Sequence, residues 1–244
     1  MKHGWTTIQI SGLSKSYAGK KVIDNISLTV SSGEVYGLLG ANGAGKSTTI
    51  ECILGTRKAD AGKIRILGLD PHQDRKPIFE QVGVQFQESN YPDKIRVKEL
   101  CEETACLYRQ PAEYEPLLSR FGLAEKKNAF VTELSGGQKQ KLFIILALIA
   151  DPKVVFLDEL TTGLDTKARR NVWKSLLELK EQGLTIFLSS HFMDEVEMLC
   201  DRISILRDGR FVFTGTVQEA MEQSCCEKFE DAYLWFTGEE ADDE

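Results

Sequence analysis

An α/β fold built on a mixed, mainly parallel sheet is predicted by three features of this sequence. The apolar run Val35-Tyr36-Gly37-Leu38-Leu39 passes directly into a glycine-rich turn and then a helical pattern, as a buried parallel strand does when it feeds a helix. Further short apolar runs at 63–67, 82–86, 154–157, 185–188, 203–206 and 211–213 recur along the chain, several of them alternating with helical patterns, as a parallel sheet requires. Ahead of the buried strand, residues 7–10 and 22–30 alternate apolar and polar side chains, which predicts a short antiparallel β subdomain.

Between residues 88 and 134 the strand signal stops. Helical patterns over 97–108 and 114–121, with Pro111 between them, predict an α-helical subdomain inserted into the sheet domain. One domain over 1–244 is therefore expected, with its core at 1–87 and 135–220 and the helical insertion at 88–134. A C-terminal helix and an acidic tail are expected over 221–244. The run Glu239-Glu240-Ala241-Asp242-Asp243-Glu244 reads as a solvated end, because like charges repel.

With 244 residues, 42% of them apolar, the chain can bury a substantial core. A net charge of -7 argues against a nucleic-acid partner, which needs clustered Lys and Arg against the phosphates. The longest apolar run, 142–150, is far below the roughly 20 residues of a membrane helix. No secretory leader is read in the first residues, so a cytoplasmic location is expected. Cysteines 52, 101, 106, 200, 225 and 226 show neither zinc-site spacing nor the density of a disulfide scaffold, and they read as reduced thiols.

Chemistry enters at Gly40-Ala41-Asn42-Gly43-Ala44-Gly45-Lys46-Ser47, which fits GxxxxGK[ST] between a buried strand and a helix. Glycines let successive amides turn inward around phosphates, and the helix N-terminus adds partial positive charge. Lys46 reaches the outer phosphates, and Ser47 is a magnesium ligand. Asn42, Gly43, Gly45, Lys46, Ser47 and the adjacent Thr48 are thus the candidate ligands of ATP with Mg2+ in a P-loop NTPase core. A second acidic element is needed to hold the metal and polarise the attacking water. The apolar run 154–157 ends in Asp158 and Glu159, where Asp158 is a metal ligand and Glu159 a general base.

The run Leu134-Ser135-Gly136-Gly137-Gln138, lying before Asp158-Glu159, makes the chain resemble the nucleotide-binding subunits of ABC (ATP-binding cassette) transporters from about Tyr17 to Gly215. That resemblance implies two subunits head to tail, with Ser135, Gly136, Gly137 and Gln138 of one closing on ATP held by the glycine loop of the other. It further implies that Tyr17 stacks on adenine beside Val22, that Gln87 touches magnesium at the entrance to the helical subdomain, and that Asp165 contacts the opposite subunit. His191 matches the histidine that orients the γ-phosphate and water. Two positions depart from the family pattern: Leu160 stands where proline usually follows the glutamate, and Lys141 where arginine is common. They leave open how the loop after Glu159 is held rigid.

The expected function is that of the ATP-hydrolysing subunit of a bacterial exporter-type ABC transporter, acting through a separate permease that docks on the helical subdomain near Gln87 and residues 91–97. A homodimer, or a dimer with a similar ATPase subunit, is expected in the ATP-bound state, peripheral on the cytoplasmic face of the cell membrane. The alternative is a soluble ABC ATPase such as an iron-sulfur assembly type. Cargo is not legible, because in this arrangement the permease carries selectivity.

Overall fold

The computed structural model describes residues 5–85, 91–92, 94–161 and 163–238; Gln87 and the acidic run 239–244 lie outside them. The chain divides into two units, residues 1–78 with 187–244, and residues 79–186.

In the first unit, β1 (Thr6–Tyr17), β2 (Lys20–Ser31) and β4 (Ala61–Ile66) form a three-stranded antiparallel sheet in the order β2-β1-β4. Ile8 and Ile10 face Val30 and Leu28 on one side and Ile66 and Ile64 on the other, and all six are buried. The sequence pattern stops at residue 10, yet β1 continues to Tyr17. Its register shifts between Ile10 and Leu13, and such an irregularity breaks the period-two alternation.

The same unit carries β3 (Val35–Leu39), every residue of which is buried, then α1 (Lys46–Ile53). β3 lies between β7 (Thr185–Ser190) and β8 (Arg202–Arg207), and β8 continues to β9 (Arg210–Gly215). β3 and β8 are parallel, while β8 and β9 are antiparallel. Asp208 and Gly209 join them with φ of 49° and 76°, the paired positive values of a two-residue hairpin turn. Leu39, Ile203, Ile205 and Phe213 pack with Val196 of α7 (Met193–Leu199), Ala220 of α8 (Val217–Ser224), and Phe229 and Phe236 of α9 (Phe229–Thr237). Arg207 ties α9 down by donating to the Phe236 carbonyl at 2.8 Å.

In the second unit, reached through α2 (Arg75–Phe79), β5 (Val82–Gln85) and β6 (Val154–Asp158) are parallel. The helices are α3 (Val97–Ala105), α4 (Tyr114–Arg120), α5 (Gly136–Leu148) and α6 (Thr166–Glu181). Among the described residues from 91 to 134 no strand occurs, and the isolated bridge Arg96 to Phe130 is the one β contact there. α3 stops short of the expected residue 108, because the amides of Leu107 and Tyr108 bond to carbonyls three residues back, those of Thr104 and Ala105, and that tighter winding does not propagate. Among the described residues no helix is long and apolar enough to cross a membrane.

Candidate nucleotide site

The glycine loop takes its shape from the elements that flank it. β3 is buried throughout, so its last residue delivers the chain into the loop at a fixed point. Gly40 has φ of 154° and Gly45 of 108°. A Cβ on Gly40 would lie 2.5 Å from the Leu206 carbonyl oxygen, and one on Gly45 would lie 2.9 Å from that of Val22. Both glycines are therefore required by backbone conformation and by close approach. Lys46 is only 7% exposed, and its Nζ donates to the carbonyls of Gly40 at 2.7 Å and Ala41 at 3.2 Å, so the loop is folded around its own lysine. Thr49 Oγ1 donates to the Gly45 carbonyl at 2.8 Å, which locks the first turn of α1. Asn42, Gly43 and Ser47 are exposed, and no side chain caps the N-terminus of α1.

Beside the loop lies a cavity of about 460 Å³, lined by Lys21, Val22, Asn42, Gly43, Asp208 and Thr237 among others. Val22 thus lies next to the loop, while Tyr17 is not among the residues that line this cavity. Lys21, Asp208 and Thr237 were not legible as lining residues, because they come from three separate places, the start of β2, the β8–β9 turn and the end of α9. Lys21 is fixed at the rim by Asp24 at 2.7 Å, and Arg210 Nε reaches the same carboxylate at 2.9 Å. These two cations, Lys21 first, hold the Asp24 carboxyl below its ordinary range.

Tyr17 closes β1 and is 36% exposed. His191 follows β7 and is exposed, with its ring 4.2 Å from that of Phe192. Ser190 Oγ accepts from the Phe192 amide at 3.0 Å, fixing the turn that presents His191.

The remaining candidates lie in the second unit. Asp158 is the last residue of β6 and is buried. Glu159 follows with φ of 51°, a left-handed conformation unfavourable for a side chain with a Cβ and typical of residues held for function. The restraint is visible. Leu160 is fully buried, and Gln140 Nε2 donates to the Leu160 carbonyl at 2.8 Å and the Glu159 carbonyl at 3.3 Å. Gln140, two residues beyond the signature run, is a positioning residue that the sequence reading missed. It supplies from α5 the rigidity that proline would give at position 160.

Ser135 caps α5. Its hydroxyl accepts from the Gln138 amide at 3.3 Å, while the Gln138 side chain accepts from the Ser135 amide at 3.0 Å, a reciprocal capping box. Ser135 and Gly136 are exposed, and a Cβ on Gly136 would meet nothing within 4 Å. Asp165 caps α6 by accepting from the Ala168 amide at 2.9 Å.

A strand, glycine loop and helix of this geometry, in a chain that also carries Asp-Glu at the end of a parallel strand, define a P-loop nucleoside-triphosphate hydrolase. The sequence profile described as ABC transporter matches residues 23–162, more than half of the chain. The chain is 40% identical over 223 residues to the Nod factor export ATP-binding protein I of Rhizobium etli, covering 89% of this chain and 71% of that protein. It is likewise 40% identical to the protein of that name from Rhizobium johnstonii, over 88% and 71% of the two chains. Among solved structures it is similar to an ATP-binding subunit of an ABC transporter, with a TM-score of 0.87 and 30% identity over 95% of this chain and all of that one. The chain belongs to the ABC transporter family, as an ATP-binding subunit that hydrolyses ATP.

Proposed function

We propose that two copies of this chain, or one copy and a similar subunit, enclose ATP between Gly40–Ser47 of one and Ser135–Gln138 of the other, and that hydrolysis there drives export through a separate permease. One observation carries this reading: a complete glycine loop and a complete signature occur in one chain, each at the start of a helix and each with exposed backbone. A helix N-terminus offers amides and partial positive charge to an anion. Export is supported by the names of the relatives, Nod factor export ATP-binding proteins, which also favour a transporter over a soluble ABC ATPase.

In this reading Lys46, with Asn42, Gly43, Gly45 and Thr48, binds the phosphates, and the base stacks on Tyr17 beside Val22. Glu159 takes a proton from the attacking water, His191 orients that water and the γ-phosphate, and Asp165 contacts the opposite chain. The oxygens of Ser47, Gln87 and Asp158 are hard donors of the kind magnesium takes. A magnesium ion held there would neutralise charge on the phosphate oxygens. We further propose that residues 88–134 form the helical subdomain on which the permease docks, with the subunit at the cytoplasmic membrane face.

The test is Glu159→Gln, which keeps shape and removes the base. Turnover is expected to fall by about 10²–10⁴, while size-exclusion chromatography with ATP shows a stable dimer. Turnover equal to the parent, or a monomer under saturating ATP, contradicts the assignment.

A further inference from the structure

We propose that Lys15 and Arg57 form a cationic backing for the Tyr17 ring, and that this backing makes Tyr17 a preorganised stacking platform that tunes affinity for the purine base of the nucleotide. The inference rests on the reading of Tyr17 as the base-stacking residue and adds two specificity-determining side chains to it.

Tyr17 is one of few exposed large hydrophobic side chains among the described residues. Lys15 Nζ lies 5.3 Å from its ring centroid and Arg57 Cζ lies 5.4 Å from it, both within the reach of cation–π attraction. Lys15 precedes Tyr17 by two residues at the end of β1. Arg57 comes from the connection between α1 and β4, and α1 is the helix that the phosphate loop opens.

Neither cation is loose. Lys15 Nζ donates to Asp60 Oδ1 at 2.8 Å, and the other Asp60 oxygen accepts from the Ser16 amide at 2.7 Å. The Arg57 fork grips Glu51 of α1 through Nε at 2.6 Å and Nη2 at 3.3 Å, and its amide bonds the Glu51 carbonyl at 3.1 Å. Lys15, with its side chain 15% exposed, is the more enclosed of the pair.

This pairing determines what the cluster does. Each cation has its own carboxylate, so the group Lys15, Asp60, Arg57 and Glu51 is close to neutral and is a poor attractor of phosphate. What it offers is local: two fixed positive charges against the ring, which restrict its rotamers and draw its π-electrons away from a stacked base. A polarised ring stacks more favourably on an electron-rich, extended purine than on a pyrimidine. The effect therefore belongs to the base and not to the triphosphate, and Glu51 carries it to the helix that starts at the phosphate loop.

The experiment compares equilibrium binding of a non-hydrolysable ATP analogue, the matching CTP analogue and inorganic tripolyphosphate to the whole chain by calorimetry. Arg57→Met and Lys15→Met are each expected to weaken the ATP analogue by about two- to fivefold, to narrow its advantage over the CTP analogue, and to leave tripolyphosphate unchanged. Arg57→Lys, which keeps the charge and loses the fork on Glu51, is expected to fall between Arg57→Met and the parent. In a Tyr17→Ala background Arg57→Met is expected to have no further effect. Equal loss of the ATP analogue and tripolyphosphate, or an undiminished effect without the ring, overturns the backing role. If Tyr17→Ala weakens the ATP analogue and neither cation variant does, the backing fails while stacking stands. If Tyr17→Ala leaves the ATP analogue unchanged, stacking itself fails.

Discussion

Two helices of this chain begin at glycine-rich turns and present their first amides in opposite ways. α1 starts from Gly45 in a left-handed conformation, with no capping side chain and no acid in its first turn. α5 starts from Ser135, which closes a reciprocal box with Gln138. An uncapped N-terminus behind a loop folded round a buried lysine is prepared for a polyanion. A self-capped one has met part of its own demand, and it suits the far side of a ligand that something else already holds. In the proposed site this asymmetry divides the work: the uncapped start is the one suited to bind first, and the capped one to close on a ligand already held.

The largest expected effect concerns the strained residue in the unit that carries α5. Glu159→Gly relieves the left-handed backbone and is expected to stabilise the chain by about 1 kcal/mol, read as a raised melting temperature, while turnover falls by about 10²–10⁴. Lower stability would show that φ of 51° at Glu159 is not a source of strain.

The contrast between the helix starts sharpens with matched substitutions. Gly45→Ala places a Cβ 2.9 Å from the Val22 carbonyl at φ of 108°, and a cost of roughly 2–3 kcal/mol is expected in denaturant unfolding. Gly136→Ala enters open space in a helical conformation, so a change within about 1 kcal/mol, neutral or stabilising, is expected. Equal costs would break the distinction between a loop held by its own packing and one left open for another surface.

The smallest effect is a difference in thiol chemistry. Burial pushes the Cys52 thiol of α1 up to about 11 and the Cys101 thiol of α3 up to about 12, so at neutral pH neither forms the reactive thiolate. Cys106 and Cys225 are exposed. Mass spectrometry after brief iodoacetamide treatment is expected to show carbamidomethyl at 106 and 225 well before 52 and 101. Thiolate at the buried pair, and so their labelling, should increase as pH is raised toward those values.

Sequence carried the glycine loop because its chemistry resides in backbone conformations that only particular residues adopt, at spacings a reader can count. Spacing of this kind made Gly40–Ser47 legible without any tertiary contact. The second half of β1 was not, because a shift in register near Gly12 interrupts the alternation that marks a strand. Gln140 also escaped notice, since its partners Glu159 and Leu160 lie about twenty residues away and no local pattern announces such a bond. Arg57 was missed in the same way: its place beside Tyr17 is set by how the α1 connection folds over β1, a tertiary contact with no period.

The central claim is that one site is shared by two chains. Lys46→Ala disables the glycine loop, and Gly136→Glu sets a carboxylate at the signature, at a position where a Cβ meets nothing within 4 Å. Each variant alone is expected to be inactive. Mixed in equal amounts with the permease present, half the dimers are mixed and each of those holds one intact composite site, so ATPase activity is expected to return to about a quarter of the parent value. A mixture no more active than its separate components, or a Gly136→Glu chain as active as the parent, would contradict the shared site.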